Sequence, residues 1–443
     1  MKRLIYNKLL EWKNRRDHKP LVLEGARQVG KTYILQEFGR NEFENMVYIN
    51  CENNDAIKQL FAIDFNIERI LLGLEAYSLQ KIVPGKTLLF LDEIQELPGG
   101  VASLKYFCEN VRSLHVAVAG SLLGIFNLQG QSFPVGKVET LRLYPMTFQE
   151  FLMARGKEQL ADVLQSLDWS VINPLHSIFV EELRLYYFVG GMPEAVTKYI
   201  ESADTSRVRA IHNEILNAYV RDFAKHAGGE TQRVRLVWDS VPGHLARENK
   251  KFIFGAVKSG ARASYFDNAL QWLQDAGLIY KVENIRQVEL PLKFFANRDI
   301  FKVFMLDVGL LGAMTLASPD EMLVKDNVFS SFKGAFTENY VLGQMKAIED
   351  IHTYYYSKPN STLEIDFLCQ IDGNIVPIEV KAEVNVKAKS LATFSKTHSA
   401  RVAQSLRFSM QPHIDQGWMQ NVPLYAVEAF VKKRVTDCKG EGK

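Results

Sequence analysis

The sequence is sparing with residues that would tie a chain together covalently or hold it in a bilayer. Its 443 residues include four cysteines, Cys51, Cys108, Cys369 and Cys438, far apart and without a Cys-x-x-Cys spacing. That argues against a disulfide framework and a cysteine zinc site, and fits a reducing cytoplasm. No apolar run approaches the roughly 18 residues that a membrane span needs. The longest weakly polar stretch, His115 to Phe126, is broken by glycine and serine. The opening residues, Met1-Lys2-Arg3-Leu4-Ile5-Tyr6-Asn7-Lys8, become charged again before a signal-peptide core develops. A cytoplasmic protein outside the membrane is therefore expected. Charge of one sign is also lacking, with 53 Lys and Arg against 51 Asp and Glu for a net +2 at pH 7. Any attraction to nucleic acid must come from a local patch.

What is present is the composition of an ordinary folded protein, 47% hydrophobic and 23% charged, at a length that suggests about three domains. The apolar run Leu21-Val22-Leu23 leads into Gly25-Ala26-Arg27-Gln28-Val29-Gly30-Lys31-Thr32. This is the strand-then-loop pattern GxxxxGK(S/T) of a phosphate-binding P-loop. Its backbone N–H groups, from Gly25 through Gln28 and Val29 to Gly30, are expected to surround the phosphates of ATP. Lys31 would reach the β and γ phosphates, and the Thr32 hydroxyl would ligate Mg²⁺.

Further along, Thr87-Leu88-Leu89-Phe90-Leu91-Asp92-Glu93 reads as a buried parallel strand ending in two acids. After a P-loop, Asp92 is the expected Mg²⁺ ligand and Glu93 the residue that orients the attacking water. A third apolar strand, His115 to Ala119, ends at Gly120-Ser121, which places Ser121 to sense the γ-phosphate or the water. Residues 1–152 are thus expected to form an open parallel α/β sheet with the nucleotide at the C-terminal ends of its strands.

With Leu91-Asp92-Glu93-Ile94-Gln95, Ala119-Gly120-Ser121 and Leu143-Tyr144-Pro145-Met146-Thr147-Phe148-Gln149-Glu150-Phe151-Leu152, the P-loop resembles that of prokaryotic AAA-type ATPases carrying a nuclease-like C-terminal domain of unknown function. The resemblance runs the length of the chain. It implies ATP hydrolysis, Mg²⁺, a helical lid over 153–230 and a possible homo-oligomer in which an arginine finger acts in trans. Many members have Gly-Arg where this chain has Gly136-Lys137. Lysine cannot grip phosphate bidentately as arginine does. Arg142 is the other candidate, with pairing to a nearby acid as its bland alternative.

The middle of the chain turns helical from Pro174 to about His226, with a break at Gly190-Gly191-Met192-Pro193. Residues 231–312 then give two helices, a short Phe252-Ile253-Phe254 run, a helix burying Phe266, Ala269, Leu270 and Leu273, and strands at 278–282 and 301–305. That is the order of a winged helix, whose third helix often enters the major groove. Its outer face carries Asn268, Gln271 and Gln274, suited to bases, beside Asp267 and Asp275, which repel phosphate.

In the C-terminal part, 320–443, Leu363 to Leu368 and Ile375 to Lys381 alternate around Asp372-Gly373, the favoured pair for a two-residue hairpin turn. Such a turn would set Asp366 opposite Glu379 and Glu364 opposite Lys381. Facing carboxylates repel unless a cation lies between them. Asp366 followed by Glu379-x-Lys381 is the PD-(D/E)xK nuclease pattern, and Glu338, in Gly334-Ala335-Phe336-Thr337-Glu338, stands where the upstream helix of that superfamily supplies another acid. The resemblance implies a restriction-endonuclease-like fold. Asp366, Glu379 and Glu338 would hold Mg²⁺ there, and Lys381 would position water. The rival reading is a hairpin with a Glu364–Lys381 ion pair. The run from Lys381 to Arg407 adds Lys387, Lys389, Lys396 and Arg401 against Glu383 alone, suited to a nucleic-acid backbone or to a solvated helix face. Two functions stay open: an ATP-driven switch controlling a Mg²⁺-dependent nuclease, and a nucleotide-dependent scaffold that grips nucleic acid or protein without cutting.

Overall fold

The computed structural model describes residues 1–120, 133–247, 250–323, 333–358, 361–382 and 388–440. It divides into two compact units, Met1–Tyr144 with Asp275–Gly277, and Pro145–Gln274 with Leu278–Lys443.

The first unit is built on five strands: β1 (Leu21–Glu24), β2 (Asn45–Asn50), β3 (Thr87–Asp92), β4 (His115–Ala119) and β5 (Glu139–Arg142). They lie in the order β2-β3-β4-β1-β5, and every pairing is parallel. Parallel sheets are covered on both faces, and β3 and β4 are accordingly buried at every residue. Val22, Val47, Leu89, Leu91, Val116 and Val118 form one face of the core, against Phe61, Ile70, Leu74, Leu104 and Phe107 from the helices. The register pairs Leu23 with Ala119 and Leu91 with Val118. The ends of β1 and β3 therefore flank β4, which brings the P-loop and the acid pair to one edge.

The second unit begins with a run of helices, including Phe148–Ala154, His176–Val189, Pro193–Ser202 and Thr205–His226. The helices expected as a lid on the nucleotide sheet thus cluster with this unit. Its sheet holds β6 (Ile279–Ile285), β7 (Ala296–Met305), β8 (Thr353–Ser357), β9 (Glu364–Ile371), β10 (Asn374–Lys381), β11 (Ser405–Ser409), β12 (Ile414–Asp415) and β13 (Met419–Pro423), in the order β12-β13-β11-β10-β9-β8-β6-β7. The β6–β7 hairpin read as the wing of a separate module is instead the far end of this mixed sheet. Asn284 of β6 pairs with Tyr355 of β8, which covers an edge that would otherwise expose unpaired backbone. The helix Asp267–Asp275 does bury Ala269, Leu270 and Leu273, leaving Asn268, Gln271 and Gln274 outward.

Candidate functional site

The P-loop joins β1 to the helix Lys31–Glu42. Gly25 has φ +148°, and a Cβ there would meet the Leu143 carbonyl oxygen at 2.3 Å, so the loop can begin against the end of β5 only with glycine. Gln28 and Gly30 also have positive φ, 67° and 97°, and Val29 is fully buried. Lys31 is 7% exposed, and its Nζ donates to the carbonyls of Gly25 and Ala26, both at 2.8 Å. Burial pushes its ammonium down to about 8, against the opposing pull of Glu93 and Asp92.

Thr32 Oγ1 donates to Asp92 Oδ2 at 2.8 Å, and Tyr48 donates to the same oxygen at 3.2 Å. Burial pushes Asp92 above the usual carboxylate range, while those hydroxyls and the Glu93 N–H pull the other way. A buried carboxylate beside a threonine hydroxyl is a donor set suited to Mg²⁺. Glu93 follows with a left-handed backbone, φ 50°, and accepts from Gln95 Nε2. Tyr48 and Gln95 were not singled out in the sequence. Their signal was position, Tyr48 in β2 beside Phe90 of β3 and Gln95 in the single turn Ile94–Glu96 that follows the acids. Ser121 lies outside the described residues. Arg142 pairs with Glu24 at 3.1 Å and Lys137 with Glu109 at 2.8 Å, so each finger candidate is held by an acid of its own unit.

In the second unit the hairpin turn forms as expected, with φ 49° at Asp372 and 64° at Gly373. The register follows from Asn374–Ile371 as far as Ile378–Phe367. The ladder stops there, and Asp366 Oδ2 accepts the Val380 N–H at 2.7 Å. Two of the acids expected to share a cation, Glu338 and Glu379, are engaged by lysines. Glu338 accepts from Lys250 and lies 3.8 Å from Lys302. Glu364 pairs with Lys302 at 2.6 Å, and Glu379 with Lys381 at 3.0 Å. The rival ion pair across the hairpin is therefore corrected, since Glu364 reaches Lys302 in place of Lys381. Among the described residues, no group of three or more His, Cys, Asp or Glu is arranged to hold a metal ion. Burial, then Glu338, pushes Asp366 up to about 7, with Lys302 and Lys250 opposing. Glu338 is held low by Lys250 and Lys302 although burial works against its charge.

Sequence reasoning missed Lys250 and Lys302. A lone lysine inside Phe301-Lys302-Val303-Phe304-Met305 was the available signal. The basic run is also less open than expected. Arg407 is 6% exposed and donates to Asn421, and Arg401 pairs with Glu289. Lys389 and Lys396 are exposed, and Lys387 and Glu383 lie outside the described residues.

Residues 17–152 match a family model described as an AAA domain, and this segment is a P-loop domain of the AAA ATPase type. Residues 180–321 and 333–425 match two domains of unknown function, DUF8612 and DUF4143. No curated protein matches the chain. Among solved structures, the Walker-type ATPase PABY2304 of Pyrococcus abyssi is 15% identical, with a TM-score of 0.45, covering 71% of this chain and 95% of that one. The ORC1 protein of Aeropyrum pernix in complex with DNA is 13% identical, with a TM-score of 0.24, covering 71% and 90%. Protein VC1899 from Vibrio cholerae is 10% identical, with a TM-score of 0.19, covering 94% and 98%. No helix among the described residues is long and apolar enough to cross a membrane.

Proposed function

We propose that the chain is an ATP-binding and ATP-hydrolysing switch whose second unit grips nucleic acid. The observation that carries the reading is the Lys31–Thr32–Asp92 constellation at the C-terminal ends of β1 and β3. Lys31 would hold the β and γ phosphates, and Thr32 and Asp92 would hold Mg²⁺, which supplies charge neutralisation as the γ-phosphate leaves. Glu93, fixed by Gln95, would orient the attacking water. Lys31→Ala is expected to abolish ATP binding. Glu93→Gln is expected to keep binding while turnover falls by a hundredfold or more, about 3 kcal/mol of barrier. ATP hydrolysis by Glu93→Gln at the normal rate sinks the water-orienting role.

The nucleic-acid half is supported by an open groove of about 500 Å³ lined by Arg233, Lys258, Arg262, Ser264 and Tyr265. The Tyr265 ring lies 4.4 Å from the Arg233 guanidinium and 5.2 Å from Lys258 Nζ. Hydrogen bonding from Arg233, then the charge of Lys258, lowers its phenol pKa. The groove directly precedes the helix that presents Asn268, Gln271 and Gln274, so cations for phosphates adjoin amides suited to bases.

Mg²⁺-dependent cleavage in the second unit remains the other reading. It is favoured by the order helix Lys333–Lys346, β8, β9, β10, helix Lys389–Thr397, β11, with Asp366, Glu379 and Lys381 on neighbouring strands.

A further inference from the structure

We infer that Lys302 and Lys250 take the electrostatic place of a divalent ion among the acids of the second unit, so that this cluster binds neither Mg²⁺ nor Mn²⁺ as it stands. The inference rests on reading Asp366, Glu379 and Lys381 as a nuclease-like site, and it specifies the state of that site.

Lys302 is 0% exposed, projects from the middle of β7, lies 2.6 Å from Glu364 Oε1 and 3.8 Å from Glu338 Oε2, and sits 4.8 Å from the centre of the Tyr355 ring. Lys250 closes on the other oxygen of Glu338, itself 4% exposed. Among the described residues, four carboxylates, Glu338, Glu364, Asp366 and Glu379, therefore meet three ammonium groups, Lys250, Lys302 and Lys381.

The cluster is within one charge of neutral before any ion enters. Adding a dication without expelling a lysine would leave net positive charge out of water, which is costly. The donor set points the same way, because Glu338 already accepts an ammonium proton from Lys250, Glu364 is ion-paired with Lys302, and one Asp366 oxygen accepts the Val380 N–H. Lys302 also cannot swing its head into solvent as a surface lysine does. It could leave only if β7 shifted.

Mn²⁺ binding to the nucleotide-free full chain, followed by calorimetry and by electron paramagnetic resonance, tests this. Wild type and Asp366→Asn should give the same isotherm. Lys302→Met and Lys250→Gln should each gain a site at least tenfold tighter than any in wild type, lost again when Asp366→Asn is added. Lys250→Gln carries the test alone if Lys302→Met fails to fold by circular dichroism. A wild-type Mn²⁺ site abolished by Asp366→Asn overturns the inference, and so do folded lysine variants that gain no site. ATP affinity measured on the same samples reports on the first unit separately, so a failure of the switch reading is not confused with a failure here.

Discussion

At the scale of single residues, Lys31 is held by two loop carbonyls and burial, and in the proposed site it would bind phosphate as the charged ammonium. Its ammonium titrates at about 8. Below that pH the lysine is already charged, and ATP binding costs no proton. Above it, binding an anion must take a proton up, so affinity falls as pH rises, by at most about tenfold per pH unit. Nucleotide titrations from about pH 7 to 9.5 should show a flat region and then this decline. Lys31→Arg, which stays charged throughout, should flatten the curve, and an unchanged slope would remove Lys31 as its cause. The placement of Lys31, Thr32, Asp92 and Glu93 at one edge of the sheet was legible because it follows from motifs a few residues long. The partners Lys250 and Lys302 were not, because nothing local says that a lysine in an apolar strand will meet Glu338 and Glu364 from distant segments. Asp307 was missed for the same reason. It accepts the Gly191 N–H at 2.6 Å and caps the following helix through Leu310 at 2.9 Å. A Cβ at Gly190 would come within 2.3 Å of it, so the Gly-Gly break is a close approach between chain segments as well as a helix end.

At the scale of elements, the turn between β9 and β10 shows how much a dipeptide can determine. Positive φ at Asp372 and Gly373 matches the right-handed twist of the flanking strands, and the register of the hairpin follows as far as Phe367. No atom lies within 4 Å of a Cβ built on Gly373. A side chain there would cost backbone strain alone, about 1–2 kcal/mol. Gly373→Val should therefore lower the urea midpoint of the second unit, whereas Asp372→Asn, which tolerates a left-handed backbone, should cost under about 0.5 kcal/mol. Equal stability of the two variants would mean that the turn does not set the hairpin. Other elements left weaker traces. Strand β5 is four residues long, Glu-Thr-Leu-Arg, with alternate residues exposed, and β2 is buried at only two positions. Edge strands of this kind lack the apolar run that marked β1, β3 and β4. The strands of the β6–β7 hairpin were recognised but read too short, because polar residues such as Asn284 and Asn297 pair within them.

For the whole molecule, local reading gave the kinds of segment but not their grouping, since whether β6 joins a private wing or β8 is decided by an edge that only the folded sheet presents. A switch couples its two sites at equilibrium whatever the arrangement of the units. If ATP changes the affinity of the groove for nucleic acid, nucleic acid must change the affinity for ATP by the same factor, as equilibrium linkage requires. Factors of about 5 to 150 are usual for such coupling. Glu93→Gln makes the measurement possible, because it is expected to hold ATP without consuming it. Fluorescence anisotropy of labelled DNA and RNA, with and without ATP, gives one factor, and ATP titrations with and without the same nucleic acid give the other. Lys258→Glu combined with Arg262→Glu should weaken nucleic-acid binding and reduce its salt dependence, since each lost phosphate contact removes a released counterion. ATP affinity in the absence of nucleic acid should be untouched by that pair. Equal factors that differ from one support a switch. A factor of one in both directions leaves two activities on one chain with no coupling between them, and undiminished binding after the charge reversal places the grip elsewhere.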